Sequence, residues 1–202
     1  MKEIVFVTSN KRKVASAKRE LKEIVVLGYE AELIEPRSDN ITEIAIKKVV
    51  QAYELVNKPC IALDAGFFVK ELNEFPKAYV NHMLETIGLK GLLKLMEGEE
   101  NRYCEFRECI AYYDGNNIEI FECRAPGKLA LEIQKNESDK KWSDLWKVFI
   151  PDGFDKTLVE FDESDFKRYD NIKSTTSMRQ FGRWFLNMEK EEELQDREFI
   201  NN

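Results

Sequence analysis

Residues 2–8 (KEIVFVT) form an apolar run rich in β-branched side chains, which predicts a strand. The polar break Ser9-Asn10-Lys11 follows. Val14, Ala17, Leu21 and Ile24 then recur at spacings of three and four, one face of a helix. Residues 24–36 (IVVLGYEAELIEP) predict a second strand region that ends at Glu35-Pro36. Asn40 with Glu43 three residues later has the spacing of a capping box. It sets the start of a helix reaching about Asn57, with Ile44, Val49, Ala52, Tyr53 and Val56 on its buried side. After Pro59, CIALDAGFFV is apolar but broken by Asp64-Ala65-Gly66, as two short strands around a turn would be. A helix over 77–96 carries Met83, Leu84, Ile87, Leu92, Leu93 and Leu95, with Gly88 and Gly91 as interruptions. Residues 103–113 and 118–124 flank Asp114-Gly115-Asn116-Asn117, a hairpin signal. An extended segment near 127–134 precedes a charged loop at 135–141, and a last helix runs from Ser177 to about Arg197. Strands alternating with helices and then a hairpin argue an α/β fold with a mixed sheet.

The chain has 202 residues, enough for one domain or two closely joined lobes burying roughly 70% of the unfolded surface. A hydrophobic fraction of 43% with 11% aromatics excludes wholesale disorder. With 31 basic against 38 acidic residues the net charge is −7, which repels nucleic-acid phosphates over most of the surface and argues against a duplex binder. No apolar run approaches the roughly 18 residues that a membrane span needs. The opening MKEIVFVTSN reads as a first strand, not a signal peptide. Cys60, Cys104, Cys109 and Cys123 include no CxxC pair, and His82 is the one histidine. A zinc site would need four of these five scattered residues to converge, so reduced, buried thiols in a cytosolic protein are expected. His82 lies in an amphipathic helix pattern, which leaves side-chain chemistry mainly to carboxylates and amines.

Three segments could carry that chemistry. At Thr8-Ser9-Asn10-Lys11-Arg12-Lys13, the end of a strand meets the start of a helix. Free backbone N–H groups, hydroxyl and amide donors and three bases face one spot there, a phosphate cradle without the GxxxxGKS of a Walker loop. Asp64, flanked by core-type residues, needs a cation or a donor to offset its desolvation. Glu35 follows a strand in the same way, and two carboxylates beside a phosphate cradle would hold Mg²⁺. The third segment, Lys173-Ser174-Thr175-Thr176-Ser177-Met178-Arg179, joins N-cap hydroxyls to basic residues at a helix start. Read alone, each also fits a capped or turn-forming structural element.

Together the three resemble the inosine triphosphate pyrophosphatase family (Ham1-like). The family's T/S-x-N-x-x-K corresponds to Thr8 to Lys13, and its D-S/T-G-L to Asp64-Ala65-Gly66-Phe67. Its L-N-G-x-P-G-x-Y corresponds to Leu72-Asn73-Glu74-Phe75-Pro76-Lys77-Ala78-Tyr79. Ile87-Gly88 to Leu95, Phe149-Ile150-Pro151-Asp152-Gly153 with Thr157 and Glu160, and Lys173 with Ser177-Met178-Arg179 continue the likeness. The resemblance implies an elongated mixed sheet flanked by helices, two lobes around a central cleft, in one domain over 1–202 with an acidic tail at 189–202. It implies a cytoplasmic enzyme, often a homodimer, that hydrolyses a nucleoside triphosphate to the monophosphate and pyrophosphate with Mg²⁺ on Glu35 and Asp64. Asp64 and Lys13 would be catalytic, while Thr8, Ser9, Asn10, Lys13, Lys173, Ser177 and Arg179 would bind the substrate.

The departures fall at two ends of the motif set. Leu63 replaces the first of two adjacent acids, and Met178 replaces the His of S-H-R. Trp142-Ser143-Asp144-Leu145-Trp146-Lys147 replaces the base-reading segment. Asp144, Trp142 or Trp146 would then build a different base pocket. The alternative from another class is a nucleotide-binding protein of this fold that has lost turnover.

Overall fold

A computed structural model describes the backbone of residues 1–172 and 175–200, with side chains to residue 188. The elements are β1 (Lys2–Val7), α1 (Lys11–Glu20), β2 (Ile24–Tyr29), α2 (Ile41–Val56), β3 (Cys60–Val69), β4 (Pro76–Lys77), α3 (Val80–Thr86) and α4 (Gly88–Leu95). They continue with β5 (Tyr103–Tyr113), β6 (Ile118–Leu129), β7 (Phe149–Pro151), α5 (Glu163–Ile172) and α6 (Ser177–Ile200). The seven strands form one mixed sheet in the order β2-β1-β3-β5-β6-β7, with β4 added on β3. β1 runs parallel to β2 and β3, while β3, β5, β6 and β7 are antiparallel.

Strand alternation sorts the side chains into two faces. On one face Cys60, Ala62, Phe68, Cys109 and Ala111 pack under Ile41, Ala45, Val49 and Ala52 of α2. The other face carries two cores at opposite ends of the long strands. Ile61, Ile110, Tyr112 and Phe121 lie beneath Ala17 of α1 and Phe181 and Phe185 of α6. Phe67, Cys104, Phe106 and Ala125 lie beneath Met83, Leu92, Leu145 and Phe149. The sheet is thus flanked by helices on both faces, with two separate cores on this second one.

Several boundaries differ from the sequence expectation. Ile24 opens β2 instead of closing the helix, because α1 stops at Leu21 and Ile24 already pairs with Lys2. β3 runs unbroken through Asp64-Ala65-Gly66, where two strands and a turn were expected. Gly66 is there for space, not for a turn: a Cβ would stand 2.7 Å from the Lys77 carbonyl of β4. Gly88, at φ +62, does separate α3 from α4, whereas Gly91 stays inside α4. β6 continues to Leu129 and absorbs the start of the expected segment at 127–134. Nothing in the sequence expectation corresponds to α5, which Asp162 opens by accepting from the N–H groups of Ser164 and Asp165. The Asp165 N–H and the Ser164 hydroxyl hold its carboxyl down at about 2. Asn40 caps α2 through the N–H groups of Thr42 and Glu43, as expected. All four cysteines are free and buried. No described helix is long and apolar enough to cross a membrane.

Candidate active site

The site forms where β3 has an open edge. β1 pairs with β3 only at Cys60 and Ile61, and β4 rejoins the same edge at Phe67 and Phe68. Between them, Ala62 to Gly66 pair with β5 on one side and with no described strand on the other. An open edge offers unpaired backbone groups, and Lys13 Nζ crosses to the Leu63 carbonyl at 3.4 Å.

Asp64 projects from this gap onto the α2 face and is 6% exposed. Lys48 of α2 donates to Asp64 Oδ1 at 2.7 Å and to Glu35 Oε1 at 2.5 Å, so one ammonium joins both carboxylates. Burial pushes the Asp64 carboxyl above its ordinary range, against the pull of Lys48 and Lys13. Burial also opposes the Lys48 charge, but Asp64 and Glu35 outweigh it and push Lys48 up. Lys13 is driven down by burial, with Asp64 as the main opposing influence. A half-buried lysine of lowered pKa beside a buried acid marks a site where charge is managed by position.

A cleft of about 500 Å³ opens on Asn10, Lys13, Glu35, Lys48 and Asp64. A second hollow of about 610 Å³ shares Asn10, Lys13, Glu35 and Lys48 with it and adds Thr8 and Ser9. The opposite wall of the cleft carries Tyr79, His82, Phe106, Trp142 and Asp144. The structure therefore gathers Thr8, Ser9, Asn10, Lys13, Glu35, Asp64 and Asp144 around one continuous space. The expected backbone cradle is smaller than the sequence suggests, because Asn10 Oδ1 already accepts from the N–H groups of Arg12 and Lys13.

Other expected residues lie elsewhere. Trp146 is buried in the core, 6.2 Å from Trp142 and 6.0 Å from Phe166, and Trp142 takes the cleft wall instead. Trp146 lies inside the 3-10 turn over Asp144–Lys147 and Trp142 just before it, a difference that no linear pattern fixes. Ser177 is fully buried and donates to Glu108 Oε2 at 3.2 Å. Arg179 lines a separate hollow with Leu21 and Gly182, and donates to the Asp170 carbonyl at 3.4 Å. Lys173 lies outside the described residues, as do the side chains of the acidic tail.

One residue was missed. Lys48 sits four after Ile44 and three after Ala45, a lysine inside the buried stripe of α2, and that misplacement was the available signal. Arg12 donates to the Lys141 carbonyl at 2.9 Å and ties the loop before Trp142 to the start of α1. Among the described residues no group of three or more His, Cys, Asp or Glu side chains could hold a metal ion. Glu35 and Asp64 nonetheless converge on one point, the Lys48 ammonium. That donor set fits an ion such as Mg²⁺, which takes one or two carboxylates and fills its shell with phosphate oxygens and water.

Residues 4–179 match the Ham1 family, and the chain belongs to it. It is 33% identical over 183 residues to the dITP/XTP pyrophosphatase of Thermococcus kodakarensis, covering 90% of this chain and 96% of that one. The dITP/XTP pyrophosphatase of Korarchaeum cryptofilum is 34% identical over 164 residues, 80% of this chain and 86% of the relative. In fold, it is similar to a HAM1 protein from Coxiella burnetii with a TM-score of 0.78 at 20% identity, over 93% of this chain and 100% of that one.

Proposed function

We propose that this chain is a nucleoside triphosphate pyrophosphatase that cleaves purine nucleoside triphosphates with non-standard bases to the monophosphate and pyrophosphate. The observation that carries it is the convergence of Glu35 and Asp64 on the Lys48 ammonium at an open strand edge, with Lys13 beside them. The relatives named dITP/XTP pyrophosphatases support the same chemistry.

Glu35 and Asp64 are the residues to hold Mg²⁺, which when bound neutralises charge on the phosphates. Asp64 orients the attacking water, and its carboxylate needs only hydrogen-bond reach to take a proton from it. Lys13, brought into the cleft with little water around it, stabilises the charge that grows on the phosphate oxygens. Thr8, Ser9 and Asn10 border the hollow on the Lys13 side and receive the far phosphates. Trp142 and Asp144 stand at the other end, where the base belongs. Ser177 and Arg179 brace the start of α6 instead of touching phosphate. The same reading takes a cytoplasmic homodimer as the working form.

The test is pyrophosphate release from a panel of standard and deaminated triphosphates with Mg²⁺. Release from a deaminated member, lost in Asp64→Asn, supports the proposal. No release above that control for any substrate leaves a nucleotide-binding protein without turnover.

A further inference from the structure

The face of β5 that brings Phe106 to the cleft reads Cys104, Phe106, Glu108, Ile110 and Tyr112. Phe106 belongs to one core and Ile110 to the other, so Glu108 is the single charged residue in the row, placed between them. Its neighbours in register are small, Ala65 on β3 and Cys123 on β6, which leaves room above the carboxylate. That room is a narrow hollow of about 50 Å³ whose lining includes Glu108, Glu20, Met178, Trp142, Arg12 and Lys13. Arg12, Lys13, Ala65 and Trp142 also line the large cleft, so the hollow is its extension.

One oxygen of Glu108 is engaged: Oε2 accepts from Ser177 Oγ at 3.2 Å and from Cys123 Sγ at 3.5 Å. Oε1 accepts nothing among the described residues, and it is not sealed from the hollow. A space of this size admits one edge of a base, not a whole purine. The aromatic wall of the cleft is at this end, with Trp142 against Phe106 at 5.3 Å, while Thr8 and Ser9 lie in the hollow on the opposite side. A base stacked on Trp142 would direct its edge at Glu108.

We propose that Glu108 determines base specificity: it selects a base that offers an N–H donor and stays uncharged, hypoxanthine over xanthine. The proposal rests on the pyrophosphatase reading for the orientation of the nucleotide. An ionised carboxylate accepts hydrogen bonds and donates none, so it matches the ring N–H of hypoxanthine. Xanthine has a second carbonyl, loses a ring proton near neutral pH and becomes anionic. This carboxylate disfavours an anionic base, against the attraction of Arg12 and Lys13 in the same lining. Glu108 also lies close enough to favour the Lys13 charge, and a purely electrostatic support of Lys13 would act on every base alike.

The experiment compares kcat/KM for inosine and xanthosine triphosphates in the wild type and in Glu108→Gln, which keeps an acceptor for Ser177. In parallel, dissociation constants for inosine and xanthosine monophosphates are measured without turnover. The ratio of inosine to xanthosine is expected to fall on the order of tenfold in Glu108→Gln, chiefly through KM, and in binding as well. An unchanged ratio, or equal losses for both bases, overturns the proposal and assigns Glu108 to Lys13. If no triphosphate is turned over, the pyrophosphatase reading fails, while the monophosphate ratio still decides whether Glu108 reads the base. A melting temperature within a few degrees of wild type shows that the variant is folded.

Discussion

Lys48 Nζ lies 2.7 Å from Asp64 Oδ1, in a pair whose side chains are 12% and 8% exposed. Removing one partner of such a pair leaves a buried charge without compensation. Lys48→Ala is therefore expected to lose about 3 kcal/mol of stability, read from the urea midpoint. Adding Asp64→Asn removes the stranded carboxylate and should recover a large part of that loss. A double-variant loss equal to the sum of the Lys48→Ala and Asp64→Asn single losses would show that the two residues are not coupled.

Trp142 and Trp146 separate function from packing. Trp146 is 7% exposed inside the far core, so Trp146→Ala is expected to cost about 3 kcal/mol and leave the ranking of substrates unchanged. Trp142→Ala, at the cleft wall, is expected to change that ranking. Kinetics on a base panel together with denaturant unfolding check both, and the opposite assignment of effects would put Trp146 at the base.

This pair also shows how far the sequence reaches. The strand at residues 2–8, the capped helix after Asn40 and the hairpin around Asp114–Asn117 follow from local patterns, and the structure has them. Thr8, Ser9, Asn10, Lys13, Glu35 and Asp64 were nameable from motif spacing, and they meet around one space. The open edge of β3 was not legible, because it depends on where β1 and β4 stop along a neighbour distant in sequence. The choice of Trp142 over Trp146 depends on a 3-10 turn. Lys48 was visible only as an oddity in the apolar stripe of α2.

Glu74 holds φ +67, a left-handed conformation, where the family pattern has glycine. That backbone costs a residue with a Cβ about 1 kcal/mol. Its ion pair with Arg107, at 2.6 Å, is half exposed and returns no more than about 1 kcal/mol. Glu74→Gly is expected to match the wild type within about 0.5 kcal/mol, while Glu74→Val loses about 2 kcal/mol. Urea unfolding of both variants checks this, and a Val variant as stable as Gly would remove the backbone argument.

Burial pushes the Cys60 and Cys109 thiols from 9.0 up to about 12. Above pH 9 the unfolded chain releases these protons first, so it binds fewer than the native state and stability falls as pH rises. The contribution is complete below pH 9 and lost between 9 and about 12, with a slope on the order of 1 kcal/mol per pH unit for each thiol. Denaturant midpoints across that window should fall less steeply in Cys60→Ala than in the wild type. A parallel pair of curves would contradict the shift.

The most direct test of the arrangement around Asp64 is hydrolysis of dITP in ¹⁸O-labelled water with Mg²⁺, followed by mass spectrometry of the products. The expected result is one labelled oxygen in the monophosphate and unlabelled pyrophosphate, with the rate reduced at least about a thousandfold in Asp64→Asn. Orthophosphate as the product, label in pyrophosphate, or an Asp64→Asn enzyme as fast as wild type would contradict it.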